Sequence, residues 1–122
     1  MQSTEREVEM DQVLIGILQT FGYPVLRQGS MAADAKYPPT LITFWNNSSN
    51  EQSYYDNAGR GVIWDYNIFV YSSDINKTYS VIEDIRVALI AAGWICGSHG
   101  FDAASDEPTH TGRGIEVVYM AI

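Results

Sequence analysis

The 122-residue sequence predicts an α+β domain, a mostly antiparallel sheet with two helices packed on one face. Three observations predict it. Two segments repeat apolar residues at three- and four-residue steps, and several others alternate or run apolar over lengths too short for a helix. Their order, α-β-β-β-α-β-β, leaves few of the crossovers that build parallel sheets. The length sets one domain, residues 1–122, with one core.

The first helix follows from Met10, Val13, Leu14, Ile17, Leu18 and Phe21, which place one apolar stripe on one face. Thr4 with Glu7 reads as a capping box at its start, and Gly22 before Tyr23-Pro24 ends it. A strand is expected over Thr40 to Trp45, after the helix-breaking Pro38-Pro39. A longer strand, Gly61 to Tyr71, turns Val62, Trp64, Tyr66, Ile68 and Val70 toward the core. Between them, Asn46 to Gly61 is polar and turn-rich around a short Gln52-Ser53-Tyr54-Tyr55 strand.

The second helix is capped by Ser73 or Asp74, buries Ile75, Tyr79, Ile82, Ile85, Arg86 and Leu89, and closes at Gly93. Trp94-Ile95-Cys96 reads as a short strand, Gly97 to Gly114 as a polar loop, and Gly114 to Ile122 as the last strand. With both helices on one face, the other keeps Ile63, Phe69, Tyr71 and Met120. An uncovered apolar face on a small domain argues for an interface, and so for self-assembly.

Composition narrows the function. Seven Lys and Arg against fifteen Asp and Glu give a formal charge of −8, which argues against general attraction to phosphate backbones or anionic membranes. The single Cys96 cannot form an internal disulfide, and its apolar run reads as a buried thiol in a reducing compartment. The acidic, polar start is unlike a signal peptide and no apolar run reaches membrane-spanning length, so a cytosolic location is expected.

Chemistry, if present, falls in the Gly97–Gly114 segment, which holds both histidines. His99, Asp102, Asp106, Glu107 and His110 are suitable ligand types for zinc or iron, and a small metal-dependent enzyme built on them is the alternative function. Their spacing matches no metal motif, and all five fall on a loop rather than on a rigid element. Ser98 or Ser105 with a histidine lacks a nucleophile elbow, and the adjacent Asp106 and Glu107 cannot face each other across a cleft. Gly112-Arg113-Gly114 is half a phosphate loop with no helix behind it. The aromatic residues from Trp45 to Tyr71 could stack bases, but Arg60 is the one basic residue between Thr40 and Tyr71. The reading is therefore non-enzymatic, with no cofactor and no metal.

The run Gly100 to Gly114 entering a final strand resembles small proteins of the head-to-tail joining region of long-tailed bacteriophages and prophages. Tyr37-Pro38-Pro39, Tyr54-Tyr55-Asp56 and the aromatic strand Trp64 to Tyr71 are similar too, so the likeness covers most of the chain beyond about Tyr37. The chain resembles the tail-terminator or tail-completion proteins. That resemblance implies an α+β subunit forming a homo-oligomeric, hexameric ring on the tail tube, in the virion at the head-tail junction after assembly in the host cytoplasm. The implied partners are the chain itself, the tail tube protein and a head-tail connector or head-closure protein. DNA passes the lumen without specific binding, repelled by like charge, and no membrane is involved. The expected contact residues lie in two loops: Tyr54, Tyr55 and Arg60 in one, Asp102, Asp106, Glu107, His110 and Arg113 in the other, with both arginines as exposed anchors.

Overall fold

The structure, a computed structural model, describes residues 2–28, 37–53, 60–105 and 107–121, with side chains over 9–28, 37–47, 62–105 and 107–120. The elements are α1 (Gln2–Leu18), β1 (Val25–Arg27), β2 (Thr40–Ser53), β3 (Arg60–Ser72), α2 (Ile75–Ala91), β4 (Phe101–Ala103) and β5 (Thr111–Ala121). The strands form one sheet in the order β1-β2-β3-β5-β4, antiparallel except for the β1–β2 pair. The fold is α+β, and the element order is the expected one.

Both helices cover one face. Leu14 and Leu18 of α1 and Val81, Ile82, Ile85 and Leu89 of α2 pack on Ile42, Phe44, Trp64, Tyr66, Ile68, Val70, Ile115 and Val117. The alternation in β3 thus selects the core residues expected of it. Each fully buried aliphatic side chain contributes about 1.5–3 kcal/mol, so this face supplies most of the stability.

Several boundaries differ from expectation. Helix α1 begins at Gln2, ahead of Thr4, and its stripe is turned by one residue: Val13 is exposed, and Asp11 is buried in its place. A 3₁₀ turn, Gln19–Phe21, follows, and Gly22 (φ 84°) ends it in the left-handed conformation. Asp74 caps α2 by accepting from the Asn76 N–H, and Gly93 (φ 95°) lies just past its end. Ile75 and Tyr79 are about half exposed, because Thr78 and Val81 take the sheet-facing positions.

Strand β2 continues through the segment read as turns. Asn47 is the extra residue of a bulge between Asn46 and Ser48, and its amide donates to Asp65 (3.1 Å) and Asn67 (3.0 Å) of β3. Cross-strand pairing overrides the local turn preference of the Asn/Ser run. Trp94-Ile95-Cys96 is not a strand; Ile95 alone bridges Val118, with paired N–H···O bonds of 2.8 and 2.9 Å. No described helix is long and apolar enough to cross a membrane.

Candidate functional site

The Gly97–Gly114 segment is less of a loop than its composition suggests. Phe101–Ala103 forms β4 on the sheet edge, and β5 starts at Thr111 rather than Gly114. The glycines explain this. A Cβ on Gly112 would lie 2.7 Å from the Tyr71 ring and the Ala103 carbonyl, and one on Gly114 would lie 2.8 Å from the Phe69 and Phe101 rings. These are strand glycines over which aromatic rings lie, and their role is close packing rather than turning.

Most polar side chains of the segment are engaged within the chain. The His99 Nδ1–H donates to Glu83 (3.0 Å), which Arg86 also holds (2.7 Å). Hydrogen bonds from Arg86 and then His99 hold the Glu83 carboxyl down at about 2. His110 Nε2–H donates to the Pro38 carbonyl (2.7 Å), and its ring meets Tyr37 edge-on. A carbonyl only accepts, so Nε2 carries a proton, while Nδ1 shares a 2.9 Å hydrogen bond with the Thr109 hydroxyl. Glu107 is in the turn before it: its N–H donates to the Ser105 hydroxyl, and its carbonyl accepts from the His110 N–H.

Arg113 is not an exposed anchor. Its side chain is 15% exposed, lies over the Tyr79 ring at 4.2 Å and donates to Asp102 at 3.1 Å. Its flanking glycines suggest a loop position, whereas it lies in β5 opposite Val70, on the helix-bearing face. Arg113→Glu would therefore strike the subunit's own fold. The Asp102 carboxylate, 84% exposed, is the solvent-facing half of that pair. Asp102 and His110 line one groove of about 300 Å³ beside the start of α2. Arg60 opens β3 opposite Ser53, a strand position rather than a loop tip. Tyr54, Tyr55 and Asp106 lie outside the described residues.

The two histidines therefore serve different tethers, and both nitrogens of His110 are occupied. Among the described residues no three His, Cys, Asp or Glu side chains group so as to hold a metal ion. Cys96 is partly buried, and that burial pushes its thiol pKa up, so it is a poor nucleophile at neutral pH.

The open face of the sheet offers a different kind of site. Phe69 and Tyr71 lie on it as expected, but they are already buried with Leu41 beneath Leu26, Tyr37 and Ala103. Beside them runs a groove of about 450 Å³, floored by Leu41, Thr43, Phe69 and Tyr71, with Trp45 and Ala104 on its walls. Trp45 meets Phe69 edge-on at 5.5 Å, Phe101 meets it at 6.2 Å, and both outer rings stay 41% exposed. Thr43 donates to Gln28 (2.6 Å) across one end.

No known family model matches the chain, and no curated protein matches it.

Reading the sequence alone missed Trp45 as the exposed aromatic of this groove, and it missed Asp11. Asp11 is 8% exposed, accepts from the Tyr66 hydroxyl (2.6 Å) and pairs with Arg27, tying α1 to β3 and β1. The signal was present: Asp11 precedes Leu14 and Leu18 by three and seven residues, within the apolar stripe.

Proposed function

We propose that this chain is a structural subunit of the head-tail junction of a long-tailed bacteriophage or prophage, a tail terminator that caps the tail tube as a homo-oligomeric ring. It stops tube growth and offers the joining surface to a connector or head-closure protein. The observation that carries the reading is the groove on the open face of the sheet, where the partly exposed Trp45 ring stands among Arg27, Gln28, Thr43 and Ser105, a mixed aromatic and polar surface suited to a protein neighbour. The likeness of Gly100–Gly114 to the joining-region proteins supplies the identity of the assembly, and six copies is the ring order it implies. His99, His110 and Arg113 are engaged in separate intrachain contacts rather than aimed at one centre, which favours assembly over catalysis. A charge of −8 on each copy would keep DNA from adhering to the lumen.

Deleting this reading frame from its parent phage and imaging the lysate by electron microscopy tests the proposal. Overlong tails without heads are the expected result. Tails of normal length beside filled, unattached heads would move the role to head-tail joining, and intact infectious virions would overturn it.

A further inference from the structure

Between α2 and β4 the chain runs along the outer edge of β5 without becoming a strand of the sheet. Ile95 bridges Val118 through two N–H···O bonds of 2.8 and 2.9 Å, and Phe101 pairs with Gly114. From Ile95 to Phe101 the chain advances six residues, whereas β5 advances four from Gly114 to Val118. A paired antiparallel strand would match them one for one, so two residues are surplus and the segment bows off the edge. Glycines permit the bow. A Cβ on Gly97 would meet nothing within 4 Å, and Gly100 adopts φ 113° hard against β5, where a Cβ would lie 2.9 Å from the Gly114 carbonyl oxygen. Few contacts hold the segment down. His99 Nδ1–H donates to Glu83 of α2 at 3.0 Å, and Cys96 packs partly buried against the core. Ile95 is 55% exposed and the His99 side chain 74%, so little apolar burial resists its departure.

We infer that residues 95–100 are a strap, latched by His99 and hinged at Gly97 and Gly100, which covers the outer edge of β5 and the Cys96 thiol and opens while the rest of the domain stays folded. Its two ends are fixed. Trp94 is buried against the Tyr66 and Tyr119 rings, and Phe101 stands in β4 against Phe69. Opening breaks the two Ile95–Val118 bonds and the His99–Glu83 bond, while β5 keeps its full pairing with β3 on its other side. By strand alternation the Glu116 N–H and C=O point the same way as those of Val118, so the open strap bares a short row of backbone donors and acceptors. Closed, it keeps that edge from pairing with another chain. The inference is independent of the ring reading.

Thiol labelling of the full chain with the chromogenic disulfide DTNB tests it, because Cys96 is the one cysteine. Rates are measured across a urea series below the unfolding transition, on wild type, His99→Ala and His99→Asn. Wild-type labelling should be far slower than that of the unfolded chain yet nearly independent of urea, the mark of an opening that exposes little surface. His99→Ala removes the latch and should raise that rate about two- to fivefold, the range set by an exposed ion pair. His99→Asn, whose amide nitrogen can stand where Nδ1 does, should bring it back close to the wild-type value. Circular dichroism confirms that the variants fold, and the wild-type urea dependence decides the opening without them. Three results would overturn the strap: labelling that climbs with urea as steeply as global unfolding, labelling as fast in the native protein as in the unfolded chain, or His99→Ala reacting at the wild-type rate.

Discussion

The two faces of the sheet are built by different rules. The helix-covered face is a continuous aliphatic and aromatic layer, with Ile42, Ile68, Val70, Ile115 and Val117 fully buried. The open face changes character along its length. At one end Leu41, Phe69 and Tyr71 form a small second core, and at the other Asp65, Asn67 and Glu116 form a polar patch joined to β2 by Asn47. One face is made by helix burial, the other by rings resting on glycine. The difference teaches that this sheet holds its strands together without needing a cover on both sides.

The largest break in the comparison should come from the covered face. Ile68→Ala should cost about 2–5 kcal/mol in urea unfolding, and Trp45→Ala less than half of that, because its ring is already partly in solvent. Equal losses would mean that the open face contributes as much as the covered one. Next, Gly112→Ala should cost about 1–3 kcal/mol, since its Cβ would meet the buried Tyr71 ring and the Ala103 carbonyl, which cannot withdraw without moving β4. An unchanged denaturation midpoint would remove the packing account of that glycine.

The polar end sharpens the contrast by charge. A hydrogen bond and like-charge repulsion from Asp65 push the Glu116 carboxyl pKa up. The folded state then binds this proton more tightly than the unfolded state, so stability falls as pH rises through the shifted value. Glu116→Gln should raise the melting temperature by about 1–3 °C at pH 7 and have no effect in acid, where the native residue is protonated.

Glu83 on α2 has the opposite sign. Its carboxyl is held at about 2 against an ordinary 4.5, so its contribution is complete above about pH 4.5 and is lost as pH falls toward 2. Glu83→Gln should flatten that part of the stability profile slightly, which acid titration of the two proteins compared would show.

Legibility in the sequence divides along the same line. On the covered face the period-two pattern from Val62 to Val70 and the i, i+3, i+4 stripes identify the core, because burial there dominates every local preference. The open face was harder to read because its signals carry two meanings. Gly112 and Gly114 mark turns in most sequences and here mark strand positions beneath rings; Asn46 to Asn50 favours turns and here forms a bulged strand. Arg113 looked exposed because glycines flank it, when the same glycines place it in a strand against α2. Ile75 and Tyr79 are apolar at helical spacing, so periodicity assigns them to the core, but a helix can carry two apolar stripes and the sheet buries only one. His99 and His110 stood out by residue type, and nothing in their spacing told of Glu83 or Pro38, which lie 16 and 72 residues away.

Strand alternation alone leaves an ambiguity that the glycine notches remove. Sliding β5 by two residues along β3 would keep every side chain on its proper face, so the hydrophobic pattern cannot oppose it. In the native alignment Phe69 faces Gly114 and Tyr71 faces Gly112. A slip one way would set Glu116 against Phe69, and a slip the other way would set His110 against Tyr71. The two hollows thus work as a key with two teeth, admitting the rings at a single setting and rejecting the alignments that hydrophobic periodicity would accept.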